Sequence, residues 1–158
     1  EPRRLDAEAI RDNLVAVSGR LDLTMFGPGT LDQNVARRSV YLRVKRSKLI
    51  PLLQLFDSPD SLQTIGRRST TTTAPQALMM LNNPFVSDSA DHIRRRLSLG
   101  EAMPPAEFID QAFLLCVGRI PSREERRLAN ALLAPGTPQS QRDFCHMLLC
   151  LNEFLYVE

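Results

Sequence analysis

Residues 66–86, GRRSTTTTAPQALMMLNNPFV, constrain the fold of this chain more than any other stretch. Thr70 to Thr73 are four β-branched residues in a row. Such side chains are stiff at χ1 and mildly oppose helix, so an extended segment is expected up to Thr73. The signals then reverse. Thr73 can cap a helix, Gln76 can reach back to its amide, and Pro75 falls in the first turn, where a missing N–H costs nothing. Ala77 to Leu81 form an apolar run, which predicts a short helix buried all round. Asn82-Asn83-Pro84 stops that helix and starts the next, with Asn83 as cap and Pro84 at the first position.

The same punctuation divides the rest of the chain. Asp6 is placed to cap a helix whose apolar stripe is Ile10, Leu14, Val17 and Leu21, with Gly19 ending it. Met25 to Arg38, with Gly27-Pro28-Gly29, reads as a loop. Ser39 to Val44 alternates apolar Val40, Leu42 and Val44 with Tyr41, Arg43 and Lys45, and reads as a strand. Its backbone needs a partner, and Arg67 to Thr73 is the expected one. Ser47 is the expected cap of a helix over residues 48–56, with a turn at 57–60.

Further helices follow. One is expected over 84–97, buried through Val86, Ala90, Ile93 and Leu97, with an Asp91–Arg95 pair and a solvated Arg94-Arg95-Arg96 face. His92 is expected on a solvated flank. Pro104-Pro105 opens a helix to about Val117, with a broad apolar surface that includes Phe108, Ile109, Phe113 and Cys116. Ser122 and Glu125 form a capping box for a helix buried through Leu128, Ala131 and Leu132. After the break at 135–138 the last helix spans about 139–151, with Phe144, Leu148 and Leu151 inward. The Phe154–Val157 tail is expected to dock on the core. About seven helices and one two-stranded element define a mostly α, compact multi-helix domain over residues 1–158. Without an initiator Met, the chain reads as part of a larger protein. Leu81→Ala and Phe113→Ala are each expected to destabilise by about 2–5 kcal/mol if both residues are core.

The chemistry expected of this segment is sparse. It has no Gly-rich phosphate loop, nucleophile elbow, H-E-x-x-H or EF-hand loop. Cys145-His146 lacks the upstream Cys of a haem-attachment motif, since position 142 is Arg. His146 and Cys150 are four apart, but structural zinc needs four ligands, and His92 and Cys116 lie far off in sequence. No metal or cofactor is expected here. Cys116, Cys145 and Cys150, an odd set, read as small hydrophobes. No apolar run approaches the length of a membrane span.

Net charge is +2, too little to favour nucleic acid. Residues 37–48 nonetheless hold six basic side chains and no acidic one. Arg37, Arg38, Arg43, Lys45, Arg67 and Arg68 are therefore the candidate contacts for an anion or an acidic partner. The competing role for these residues is scaffolding, since arginine forks also tie loops to carboxylates and carbonyls. The Thr run beside Arg67 and Arg68 has groups that bind anions or supply a nucleophile, but loop Ser/Thr runs ordinarily serve turns and caps.

Several phrases resemble one family when taken together. They are RRLDAEAIRDNLVAVSGRLD, RRSVYLRVKR, LFDSPD, GRRSTTTTAPQALMMLNNPFV, AFLLCVGRIPSREE and LCLNEFLYVE. In order they are similar to the C-terminal part of the planctomycete-type domain of unknown function 1553. The resemblance implies a large bacterial envelope, periplasmic or secreted protein, whose relatives often also carry c-type cytochrome domains. It supplies no catalytic or binding residues. The expectation is a non-catalytic interaction or structural module that meets other domains of its parent protein, or an acidic protein or glycan. The alternative is part of a hydrolytic enzyme domain for polysaccharide-type substrates, completed by segments outside this chain.

Overall fold

A computed structural model describes residues 2–45, 47, 49–59, 66, 68, 70–98 and 103–157. Among them are eight α-helices: α1 (Ala7–Val17), α2 (Pro51–Leu55), α3 (Ala74–Asn82), α4 (Pro84–Leu97), α5 (Pro105–Val117), α6 (Arg123–Leu133), α7 (Pro138–Leu149) and α8 (Asn152–Leu155). A two-stranded antiparallel sheet pairs β1 (Arg3–Arg4) with β2 (Tyr156–Val157). The chain is thus mostly α with a small β element.

Local chemistry sets the helix ends. The Thr73 amide donates to Gln76 Oε1 at 3.2 Å. Asn83 Oδ1 accepts from the Phe85 amide at 2.9 Å, with Pro84 at the first position of α4. Ser122 and Glu125 exchange the two bonds of a capping box. Asp6 occupies the N-cap of α1, but its side chain makes no capping hydrogen bond. α2 is shorter than the sequence implies. It starts at Pro51 behind Ile50, and Ser47 does not cap it.

α4 and α7 are the principal packed pair, with α1, α3 and α5 against α4, and α5 and α6 against α7. Ile10, Leu14, Met80, Val86, Ile93, Ile109, Phe113, Phe144 and Leu148 make one core. The apolar tail does dock, burying Phe154 and Leu155. Arg119 then ties the ends of α5, α6 and α8 together, donating to Glu125 at 2.7 and 2.9 Å and to both oxygens of Glu153 at 3.0 Å. Arg119, and after it the Ser122 amide and hydroxyl, hold the Glu125 carboxyl down to about 2, from an ordinary 4.5. A depressed carboxylate stabilises the fold above its unfolded pKa and loses that contribution as pH falls through its folded one. Glu125→Gln should therefore flatten the decline in stability between about pH 4.5 and about pH 2. Urea unfolding across that window reads the effect.

Three further expectations are corrected. Residues 39–44 do not form a strand. Ser39–Tyr41 is a single 3-10 turn, with Val40 and Val44 exposed. The cause is capping from below: Asp12 Oδ1 accepts from the Ser39 amide (2.7 Å) and hydroxyl (2.6 Å), pinning the turn to α1. The expected partner, Arg67 to Thr73, forms no ladder among its described residues, and the paired strands are the two terminal segments instead.

α3 is not buried all round. Gln76 and Met80 face inward, whereas Leu78 and Leu81 are each 55% exposed, because α3 rests on α2 and α4 along one side only. Leu81→Ala should thus cost about 1 kcal/mol or less in chemical denaturation, well below a core truncation.

α6 is rotated from the expected face. Ala129 and Leu133 are buried, while Leu128, Ala131 and Leu132 are exposed. Arg126, on the same side of α6 as Ala129 and Leu133, pairs with Asp110 of α5 at 2.6 Å.

Candidate functional site

Arg11 is the hub of the polar architecture. It follows the core residue Ile10 on α1 and is 1% exposed. A buried guanidinium needs acceptors for its donors. The loop between α1 and α2 supplies them. Arg11 donates to the carbonyls of Gln33 (3.0 and 3.3 Å), Val35 (2.6 Å) and Arg37 (3.0 Å), and to Ser39 Oγ (3.2 Å). Its guanidinium also lies 5.6 Å from the Phe85 ring centroid. Burial pushes its pKa down and Asp12 opposes that.

Arg37 repeats the device at the outer edge of the loop. Its guanidinium sits 3.5 Å from the Tyr41 ring centroid and donates to the carbonyls of Thr24 and Phe26. The Tyr41 hydroxyl accepts from the Phe26 amide at 2.9 Å. The two limbs of the loop are stitched directly as well. Thr30 N–H donates to Tyr41 O (2.9 Å), Arg43 N–H to Thr30 O (2.7 Å) and Asp22 N–H to Ala36 O (2.9 Å). Gly29 allows this closeness, since a Cβ there would lie 2.9 Å from the Tyr41 carbonyl oxygen.

This braced loop presents apolar side chains outward. Among the described residues the five most exposed large apolar side chains are Phe26 (79%), Val40 (75%), Leu23 (74%), Val44 (72%) and Met25 (69%). All five lie on it. Scattered exposed apolar residues are ordinary, but a concentration of them on one ordered segment is not. Phe26 also has φ +66°, an unfavourable backbone region for an aromatic residue.

The predicted basic residues take separate places. Arg37 is bound to loop carbonyls. Arg38, with its side chain 65% exposed, lies 3.6 Å from Asp12. Arg43 and Lys45 are exposed at the loop's second limb. Arg68 makes a two-pronged contact with Glu8 on α1, at 2.8 and 3.1 Å. Arg67 lies outside the described residues.

The Thr run lines a different cleft, of about 290 Å³, with Arg4, Gln76, Met80, Leu81 and Tyr156 among its walls. Thr72 and Tyr156 share a hydroxyl–hydroxyl hydrogen bond (2.9 Å) there, and Gln76 donates to the Leu55 carbonyl (2.9 Å), while a neighbouring cluster anchors Arg4. Asp57 accepts from the Thr71 amide (2.7 Å) and hydroxyl, and from Arg4 (2.9 Å). Burial raises the Asp57 pKa, but these donors outweigh it and hold the carboxyl below its usual range. Arg4, 5% exposed, also donates to the carbonyls of Phe56 (3.0 Å) and Thr71. A carboxylate held anionic in this way is an anchor, whereas a general acid needs the opposite shift.

The thiols are inert by burial, which pushes Cys116 up to about 12 and Cys150 up to about 11. His146 Nε2 donates to the Met80 carbonyl at 2.9 Å. Among the described residues no group of three or more His, Cys, Asp or Glu side chains is placed to hold a metal ion. None of their helices is long and apolar enough to cross a membrane.

Sequence reasoning missed Arg4 and Arg11. The available signal for Arg11 was its position: it is flanked by the stripe residues Ile10 and Leu14, within the angular width of a buried helix face.

A family model described as protein of unknown function (DUF1553) matches residues 1–133. No curated protein and no solved structure matches the chain.

Proposed function

The chain belongs to the DUF1553 family of proteins of unknown function, and from that premise we propose that it is a non-catalytic helical module of a larger bacterial envelope protein, docking through its α1–α2 loop onto another domain of that protein. The sequence phrases further suggest the C-terminal part of a planctomycete-type member, in the periplasm or secreted. The observation that carries the proposal is the concentration of Leu23, Met25, Phe26, Val40 and Val44 on a loop whose backbone is braced by Arg11 and Arg37.

The chemistry of the partner follows from that of the loop. An apolar centre favours a protein surface over a glycan, which would call for polar side chains at the middle of the contact. Exposed Arg38, Arg43 and Lys45 border Val40 and Val44 in sequence, so the partner surface is apolar at its centre and acidic at its rim. Pre-bracing the loop lowers the ordering cost of association.

Phe26→Glu combined with Val40→Glu should weaken association with the rest of the protein, supplied in trans, by tenfold or more. Circular dichroism and the melting temperature should be unchanged. Phe26→Gly makes the complementary case: relief of the left-handed backbone should leave stability unchanged or raise it by up to about 1 kcal/mol while association falls. Association unaffected by either change would overturn the proposal. Substitution of Arg38 or Lys45 should act mainly on the association rate and its salt dependence.

A further inference from the structure

A second feature lies away from that loop. The end of α1 and the last turns of α4 enclose a cleft of about 350 Å³ lined by Ser18, Gly19, Arg20, His92, Arg95 and Arg96. Every ionisable side chain in that lining is basic. We propose that this cleft binds a tetrahedral oxyanion, the phosphate or sulfate group of a small molecule or of a substituted glycan.

Each guanidinium is fixed at one edge. Arg20 donates to Ser18 Oγ (3.1 Å) and Ser89 Oγ (2.7 Å) and lies 5.2 Å from the Phe85 ring centroid. Arg96 donates to the Ala16 (3.3 Å) and Val17 (3.0 Å) carbonyls at the end of α1. Gly19 makes room for it, since a Cβ there would meet Arg96 Cδ at 3.1 Å. Arg95 pairs with Asp91 at 2.5 Å. These contacts position the arginines and leave each guanidinium with donors beyond those used.

The charge around the cleft is unbalanced. Arg20, Arg95 and Arg96 face two carboxylates, Asp88 and Asp91, and Asp91 is already shared between Arg95 and Arg94, which lies outside the lining of the cleft. His92 registers the excess. Burial lowers its pKa, Arg20 and Arg95 lower it further, and Asp91 and Asp88 oppose them. An oxyanion seated among the arginines offsets that repulsion, so His92 takes up a proton more readily when the site is filled. By linkage the anion binds more tightly as pH falls.

Sulfate is the right first probe, because its charge is constant where phosphate passes its second pKa near 6. The chain is titrated with sulfate at constant ionic strength, with chloride as the balancing salt, while the imidazole resonances are followed by NMR from about pH 5.5 to about pH 7.5, bracketing the ordinary His pKa. The chain has two histidines, so His146, outside the cleft, is an internal reference. The expected result is a saturable His92 shift, a raised His92 titration midpoint, and an affinity that grows toward low pH. Arg95→Gln and Arg96→Gln, both at exposed positions, should each lower that affinity about fivefold or more with unchanged melting. A sugar sulfate and a sugar phosphate compared at pH 7.5 separate the two sources. A linear His92 shift that chloride reproduces and the variants retain would overturn the proposal and mark screening, or an adventitious ion only.

Discussion

Replacing Arg11 by Ala should cost about 3–5 kcal/mol in equilibrium unfolding, because it leaves several buried acceptors without a partner at once. The guanidinium is 1% exposed and serves the carbonyls of Gln33, Val35 and Arg37 and the hydroxyl of Ser39. Each acceptor left without a partner costs about 1–3 kcal/mol, less where water can enter from the loop side. Arg11→Lys should recover only part of the loss, since an ammonium cannot reproduce the planar fork that reaches several carbonyls at once. The defect should also be regional. Amide exchange should accelerate most at Asp22, Thr30 and Arg43, whose hydrogen bonds close the loop, and at Ile109 and Leu148 in the core only by the amount that the loss of global stability sets. A loss below about 1 kcal/mol would remove Arg11 from its place as hub.

Phe144→Ala is the second large effect, at about 3–5 kcal/mol. Phe144 is 0% exposed on α7, and its ring lies 6.2 Å from those of both Phe108 and Phe113, tilted by 45° and 47°. Tilted aromatic pairs add to the area term. α7 packs against α4, α5 and α6, so the surroundings cannot collapse easily into the space a ring leaves. Phe144→Leu, which refills most of the volume, should cost much less. Guanidinium denaturation should show a shifted midpoint with an unchanged slope, the mark of a change in stability alone.

What the sequence made legible was local. Ser122 with Glu125, Thr73 with Gln76 and Asn83-Pro84 each solve the problem of unpaired helix-end amides within a few residues, so helix ends could be read directly. The stripes of α4 and α5 were legible because their apolar faces are unambiguous. What failed depended on distant partners. The alternation at 39–44 imitates a strand, yet Asp12, 27 residues away from Ser39, turns the segment instead. On α6 several apolar residues compete for burial, and the packing of the helix against α5 and α7, which lie outside its own sequence, decides among them. Of the candidate site, Arg38, Arg43 and Lys45 were visible as charge, but the apolar exposure beside them was not. Val40 and Val44 read as the apolar face of a strand, and Phe26 as part of a loop, whereas both valines and Phe26 are exposed. Exposure is a tertiary property, and an apolar residue in sequence carries no mark of which side of the surface it occupies.

The most direct test of the docking account is hydroxyl-radical footprinting of Met25 and Phe26, in this chain alone and in the protein that contains it. Met147, exposed on α7, is the reference in both samples. The account predicts rapid oxidation of Met25 and Phe26 in the isolated chain and strong protection in the larger protein, with Met147 unchanged. Equal oxidation of Met25 and Phe26 in the two samples would contradict it.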